Sequence, residues 1–422
     1  MNLQTILSTI FRQSKYSFLS LASQALGLLQ VALLIWPDGG GLASDAYFLL
    51  TAWGMFPAQI ILFGVMFPLW LRNGATREGT AIIAVFCVVL AAGLATIGSM
   101  VFLISAGKHY DLLLFHTIVF TVYCVLQTVN TAFALRSAST GNALWLSILT
   151  LPSSVCACTL LIFSNQELSS ATSLLGIGLC IGSVIYTGLF IATGTHNGLR
   201  VDSVRTGAQP PGSDPRVGPP RGDSLWFFGK SVSGYGAGLF LQTVAATLPQ
   251  SSLTTISVVS KIVGGFTSVV TSTNLPRLIN ATTKNDYAVT RFVHRFLWFG
   301  SVFSFIVVGI HVWFAGRGAG IVLIAMMWLV VATISATEQR VYLRFRSARW
   351  SSVSIFVSAA VVIFSLVLAG RGYLNVSVVL GLYVLLDFMV ALVLLSFRRK
   401  GGLIAGMCGL LFFVLAGFIY SS

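Results

Sequence analysis

The sequence predicts an all-α polytopic membrane protein made of two like halves of six spans each, followed by a thirteenth helix. Three observations predict it. The chain of 422 residues is 56% hydrophobic and 9% charged, with a mean hydropathy of +0.90, whereas about a quarter of a soluble chain is charged. Thirteen apolar runs approach the roughly 20 residues that a span needs. One local pattern then occurs twice, as Phe67-Pro68-Leu69-Trp70-Leu71-Arg72-Asn73 and as Leu275-Pro276-Arg277-Leu278-Ile279-Asn280.

The spans are expected at about 17–36, 46–70, 80–104, 111–135, 143–163, 172–193, 229–249, 253–273, 296–314, 321–338, 350–369, 376–397 and 403–420. Runs of this length argue for helices, because barrel strands are about ten residues long and alternate in polarity. The first run reads as a retained span. It is too long for a signal peptide and leaves through Trp36-Pro37-Asp38-Gly39-Gly40, without an A-x-A cleavage pattern.

Basic residues set the expected orientation. With the N-terminus in the cytoplasm, 21 of the 25 Lys and Arg residues lie inside. Only Lys108, Arg317 and Arg371 lie outside, and Lys261 falls within a span. This bias is the positive-inside pattern of a multi-pass membrane protein. It also accounts for the net charge of +14 without nucleic acid, since the cations flank spans and form no aromatic-interleaved face. The six cysteines all lie in apolar spans with no metal or redox spacing, and read as small packing residues.

The expected domains are 1–193 for the first six-helix bundle, 194–228 for a flexible cytoplasmic linker, 229–400 for the second bundle and 401–422 for the additional helix. The linker contains Gln209-Pro210-Pro211-Gly212-Ser213-Asp214-Pro215-Arg216, a polar and turn-rich composition. The repeat extends across the halves. Pro68 and Pro276 are 208 residues apart, Thr128 and Thr333 are 205 apart, and Gly178 and Gly381 are 203 apart. Both halves start in the cytoplasm, so the repeat is parallel, about an axis along the membrane normal.

Polar groups inside the membrane mark candidate sites. A charge at the bilayer centre costs about 2.5–3.5 kcal/mol on insertion scales. Lys261 lies about 12 Å along its span from Leu253, at 1.5 Å per residue. It reads as an anion-binding group lining a cavity, against an ion pair or a snorkelling lysine. Asp387 is mid-span, and either titrates as an ion carrier, partners Lys261, or is a protonated carboxyl bonded to a neighbouring helix. Glu338 near the inner end of the tenth span is a second ion-coupling candidate, against simple pairing with nearby arginines. Asp45 starts the second span, where an acidic side chain also suits the helix dipole. Gln30, Gln242, Gln127 and Asn130 either bond between helices or face a wet cavity. His116 and His311 read as satisfied polar residues. No Walker A, G-x-S-x-G or H-E-x-x-H pattern is present, so the reading is a secondary transporter and not an enzyme.

Ser44-Asp45-Ala46-Tyr47-Phe48 followed by Gly64-Val65-Met66-Phe67-Pro68 resembles the second span of the MOP exporter superfamily, which includes MviN-type lipid II flippases and Wzx-type O-antigen flippases. Leu248-Pro249, Val258-Val259-Ser260-Lys261 and Leu275-Pro276-Arg277-Leu278 resemble the eighth span of the same proteins. The resemblance implies two six-helix bundles in a V around a central cavity, alternating access, and export of a polyprenyl-diphosphate-linked glycan across the bacterial inner membrane. It places Lys261 as a cavity-lining cation and Asp45 as the acidic residue of the second-span motif. The expected substrate-binding set is Lys261, Asp45, Gln30, Gln242 and Asn130. The expected coupling set is Asp387 and Glu338, with H+ or Na+ as coupling ion and no cofactor or metal. The expected partners are the lipid-linked glycan and membrane lipids, with a monomeric chain. The chain departs from the lipid II type in having thirteen spans and no basic residue mid-way along the first. Its first six spans lack a deep carboxylate, unlike the cation sites of multidrug exporters. A cation-coupled multidrug antiporter and a membrane-embedded polysaccharide polymerase remain the alternatives.

Overall fold

The computed structural model describes residues 3–36, 40–67, 69–70, 76–106, 112–140, 142, 144–163, 168–201, 223–282, 286–315, 318–345, 352–397 and 400–421. Among the described residues there are thirteen helical segments and no strand. They are α1 (Leu3–Ile35), α2 (Leu42–Pro57, continued by Ala58–Met66), α3 (Arg77–Ala106), α4 (Leu113–Ser139), α5 (Leu144–Ser147 and Leu151–Ile162), α6 (Leu168–Val201), α7 (Asp223–Ala245), α8 (Ser252–Thr282), α9 (Asp286–Ala315), α10 (Ala319–Phe345), α11 (Ser352–Gly370), α12 (Val376–Phe397) and α13 (Gly401–Ser421). The chain divides into two compact units, Phe18–Ser231 and Met1–Ser17 with Val232–Ser422. Pro68 and the heart of the expected linker, 202–222, lie outside the described residues, as do the side chains around Pro276. Helix runs through 194–201 and again from Asp223.

Local chemistry fixes the helix ends. Ser44 Oγ accepts from the Gly41 amide at 2.9 Å and closes the start of α2. Thr76 Oγ1 accepts from the Gly79 amide at 3.2 Å at the start of α3. Asn375 Oδ1 accepts from the Val378 amide at 2.8 Å at the start of α12. Each satisfies an amide that a helix start leaves without a partner. At the end of α11, Gly372 takes φ +73°, and the Tyr373 amide turns back to the Leu368 carbonyl at 3.0 Å. That left-handed conformation strains a residue bearing a Cβ.

Two expected spans are interrupted where proline falls. After Pro57, the nine residues Ala58–Met66 form a π-helix, and the Phe67 amide donates to the Leu62 carbonyl five residues back. Proline supplies no N–H and its ring crowds the carbonyl four residues earlier, so the regular ladder breaks there. In α5, Pro152 ends the same ladder. Ile148–Thr150 form a turn, with the Leu151 amide bonding the Ile148 carbonyl at 3.1 Å.

Ten helices among the described residues are long and apolar enough to cross a membrane. The seventh and eighth expected spans are present as helices but are not among the ten. α8 carries Ser252, Thr254, Thr255, Ser257, Ser260, Thr267, Ser268 and Thr271 together with Lys261. Thr255 and Thr271 bond back to the Ser251 and Thr267 carbonyls at 2.9 and 2.7 Å, which lets hydroxyls sit in a helix without orphaned donors. In α13, the described apolar stretch is Gly401–Phe412.

Each unit is organised around its fourth helix. In the first unit α4 packs against α2, α3, α5 and α6. In the second, α10 packs against α8, α9, α12 and α13. The Thr128 and Thr333 pairing of the sequence repeat lands on these two central helices, where both residues are fully buried. At α5 against α6, two glycines lie close against the neighbouring backbone. A Cβ on Gly182 would stand 2.4 Å from Ser153 Cα, and one on Gly178 would stand 2.6 Å from Ala157 Cα. This four-residue glycine spacing allows backbones in lipid to approach closely.

Candidate functional site

In the first unit the predicted polar residues form two groups. Near the start of α2, Gln30 Nε2 donates to Tyr47 Oη at 3.2 Å and ties α1 to α2. The Tyr47 ring lies 5.1 Å from Phe120 of α4, and Phe120 lies 5.9 Å from His116. His116 Nε2 shares a hydrogen bond of 2.9 Å with Ser173 Oγ of α6. Asp45 sits in the first turn of α2 at 5% exposure. A buried carboxylate here faces the amide end of its helix, which favours negative charge.

Further along α4, Asn130 Nδ2 donates to the Ser183 carbonyl at 3.0 Å. Its Oδ1 accepts from Thr187 Oγ1 at 2.7 Å. Ser183 Oγ lies 3.1 Å from Ser153 Oγ and 3.4 Å from Gln127 Oε1. These bonds commit the Asn130 amide to the junction of α4, α5 and α6. The glycine approach at Gly182 is what brings Ser153 and Ser183 within bonding distance.

In the second unit, Asp387 of α12 is half-buried and accepts a hydrogen bond from Trp328 Nε1 of α10 at 2.9 Å. The Trp328 ring stacks on Tyr383 with centroids 4.9 Å apart. Tyr383, one helical turn before Asp387, donates through its hydroxyl to the Gly238 carbonyl of α7 at 2.8 Å. On the same helix as Trp328, Gln339 Nε2 donates to Ser335 Oγ at 3.0 Å. One carboxyl in the middle of a span is held by the indole of α10 and anchored through Tyr383 to α7. Trp328 and Tyr383 are the residues that sequence reasoning misses. An indole inside an apolar run reads as packing, and only the turn spacing of Tyr383 and Asp387 hints at a joint role.

The remaining candidates are placed separately. Glu338 of α10 is fully buried, next to Gln339. Gln242 of α7 is half-buried. Lys261 of α8 is exposed, on the helix that Thr267 links to Thr333 of α10 by a hydroxyl contact of 3.2 Å. Among the described residues no group of three or more His, Cys, Asp or Glu is placed to hold a metal ion. The cysteines are free.

No protein-family model matches the chain. No curated protein matches it in sequence. Solved structures do match in fold. The lipid II flippase MurJ in an inward closed conformation aligns with a TM-score of 0.64 at 17% identity, over 95% of this chain and 91% of that one. An outward-facing multidrug resistance MATE family transporter of the MOP superfamily aligns with a TM-score of 0.52 at 15% identity, over 94% and 96%. The chain is a multi-pass membrane protein that is helical, without strands, among its described residues and has the fold of these two structures.

Proposed function

We propose that this protein is a flippase that exports a polyprenyl-diphosphate-linked oligosaccharide across the bacterial inner membrane by alternating access, for assembly of cell-surface polysaccharide or peptidoglycan. The observation that carries the reading is Lys261, an exposed ammonium part-way along a Ser- and Thr-rich helix. An ammonium at that depth is costly in hydrocarbon and is retained where it meets water or an anion. A diphosphate head group supplies that anion through charge-assisted hydrogen bonds. The hydroxyls of α8, with Gln242, offer donors and acceptors to sugars.

The driving energy is assigned to Asp387, with Glu338 as the second candidate, acting as carrier of a coupling H+ or Na+. The membrane potential alone supplies about 2.3 kcal/mol per charge per 100 mV. The N-terminus is placed in the cytoplasm on the distribution of Lys and Arg. A cation-coupled multidrug antiporter is the competing reading, since a multidrug transporter shares the fold. The first six spans hold no deep carboxylate to receive an organic cation, which favours the flippase.

The deciding experiment is reconstitution in proteoliposomes with fluorescent lipid-linked oligosaccharide. The wild type is expected to move the lipid, and Lys261→Ala to slow it at least about tenfold, the loss of one charged hydrogen bond. Equal rates would remove Lys261 from the site. A wild type that moves no lipid but expels cationic dyes would establish the antiporter.

A further inference from the structure

We infer that α4 carries a docking site for an anionic phospholipid of the cytoplasmic leaflet, with Arg136 as the phosphate ligand. Arg136 lies in the last turn of α4 and is half-buried. Its Nε atom is shielded from solvent and has no hydrogen-bond partner. A guanidinium nitrogen withdrawn from water without an acceptor is unfavourable, and most such groups in folded proteins are satisfied. Arg136 as a whole is half-buried, so the outer part of its side chain stays open to an anion that approaches from outside the polypeptide.

The surface leading away from Arg136 identifies that anion's molecule. Val122, Val125, Leu126, Val129, Phe133 and Arg136 recur at three- and four-residue spacing, so they form one stripe of the helix. Val122 is 46% exposed, and the others are half-buried. The stripe is apolar until it meets Arg136, and spans about 21 Å at 1.5 Å per residue. Phe133 is backed by Phe190 of α6 at 5.8 Å. Beyond Arg136 the helix end becomes polar, with Ser137, Ser139, Thr140 and Asn142 in successive hydrogen-bonded turns. An apolar strip, then a cation, then hydroxyls matches a lipid's acyl chain, phosphate and glycerol head group in order. The inference rests on the topology reading that puts the end of α4 at the cytoplasmic surface, where anionic lipid attracts basic residues.

The test uses the full chain purified from vesicles of equimolar phosphatidylcholine and phosphatidylglycerol. Native mass spectrometry of the wild type is expected to show retained phosphatidylglycerol, and Arg136→Ala to weaken retention about tenfold. Lys400→Ala, a cytoplasmic cation on the other unit, is expected to keep it. Equal loss in Lys400→Ala would reduce the effect to general surface charge and overturn the site, as would equal retention in Arg136→Ala. A thermal shift keeps the inference testable if that variant folds poorly. Added phosphatidylglycerol, but not phosphatidylcholine, is expected to raise the wild-type melting temperature. Equal shifts overturn the phosphate assignment. Displacement of phosphatidylglycerol by equimolar polyprenyl phosphate would instead make the site a carrier subsite and overturn the phospholipid assignment. These readouts need no transport, so they stand or fall apart from the flippase reading.

Discussion

Trp328 Nε1 donates a hydrogen bond of 2.9 Å to Asp387 Oδ2, joining α10 to α12. The indole is also stacked on Tyr383, whose hydroxyl bonds the Gly238 carbonyl of α7. A change in the charge of one carboxyl is therefore felt by three helices. Asp387→Asn keeps an acceptor for Trp328 but removes the titratable group. Ion-gradient-driven transport is expected to fall at least about tenfold, the change that 1.4 kcal/mol produces, while the melting temperature stays within a few degrees. Wild-type transport by this variant would refute the coupling role.

Trp328→Phe separates the stack from the hydrogen bond, because it keeps an aromatic ring on Tyr383 and removes the donor to Asp387. Loss of the donor leaves the carboxyl less satisfied, so a destabilisation of about 1–3 kcal/mol is expected. A purified variant that melts like the wild type would show that the indole donor does not hold Asp387.

Gly182 and Gly188 lie on the same helix, α6, in opposite surroundings. A Cβ on Gly182 would stand 2.4 Å from both Ser153 Cα and the Pro152 carbonyl oxygen, whereas one on Gly188 meets nothing within 4 Å. Gly182→Ala is expected to destabilise the first unit by about 1–3 kcal/mol through overpacking. Gly188→Ala is expected to leave stability unchanged or raise it by about 0.4–1 kcal/mol. Thermal melts of the two purified variants decide it, and matching melting temperatures would contradict the close α5–α6 approach.

Asn130 is bonded on both sides of its amide, to the Ser183 carbonyl and to Thr187. Interhelical polar bonds in membranes average about 0.6 kcal/mol and reach about 1.7 kcal/mol. Asn130→Leu is expected to lose about 1–2 kcal/mol by that measure, with little change in transport per folded molecule. Unchanged stability with transport abolished would instead assign Asn130 to the substrate.

The Gln30 to Tyr47 bond is isolated by a double-mutant cycle of Gln30→Leu and Tyr47→Phe. A positive coupling on the order of 0.5–1 kcal/mol is expected for residues in direct contact. Additive effects on the melting temperature would mean that the bond does not hold α1 to α2.

The sequence by itself determined the membrane class, the helix count and the places of most helix ends. Those properties follow from apolar run length, which is a local feature of the chain. It also singled out Asp387, because a charge in a span needs no neighbours to be costly. It did not reveal that α2 widens after Pro57, because proline's lost bond can be resolved by a kink, a break or a π-helix. Nor did it reveal Trp328 as the partner of Asp387, since 59 residues separate them and an indole in an apolar run has the same local signature whether it packs or donates. The commitment of Asn130 to α6, and the exposure of Lys261 against the burial of Glu338, were likewise decided by the tertiary structure. Those outcomes depend on which helix faces meet, and the pairing of faces is set by long-range packing that local periodicity does not encode.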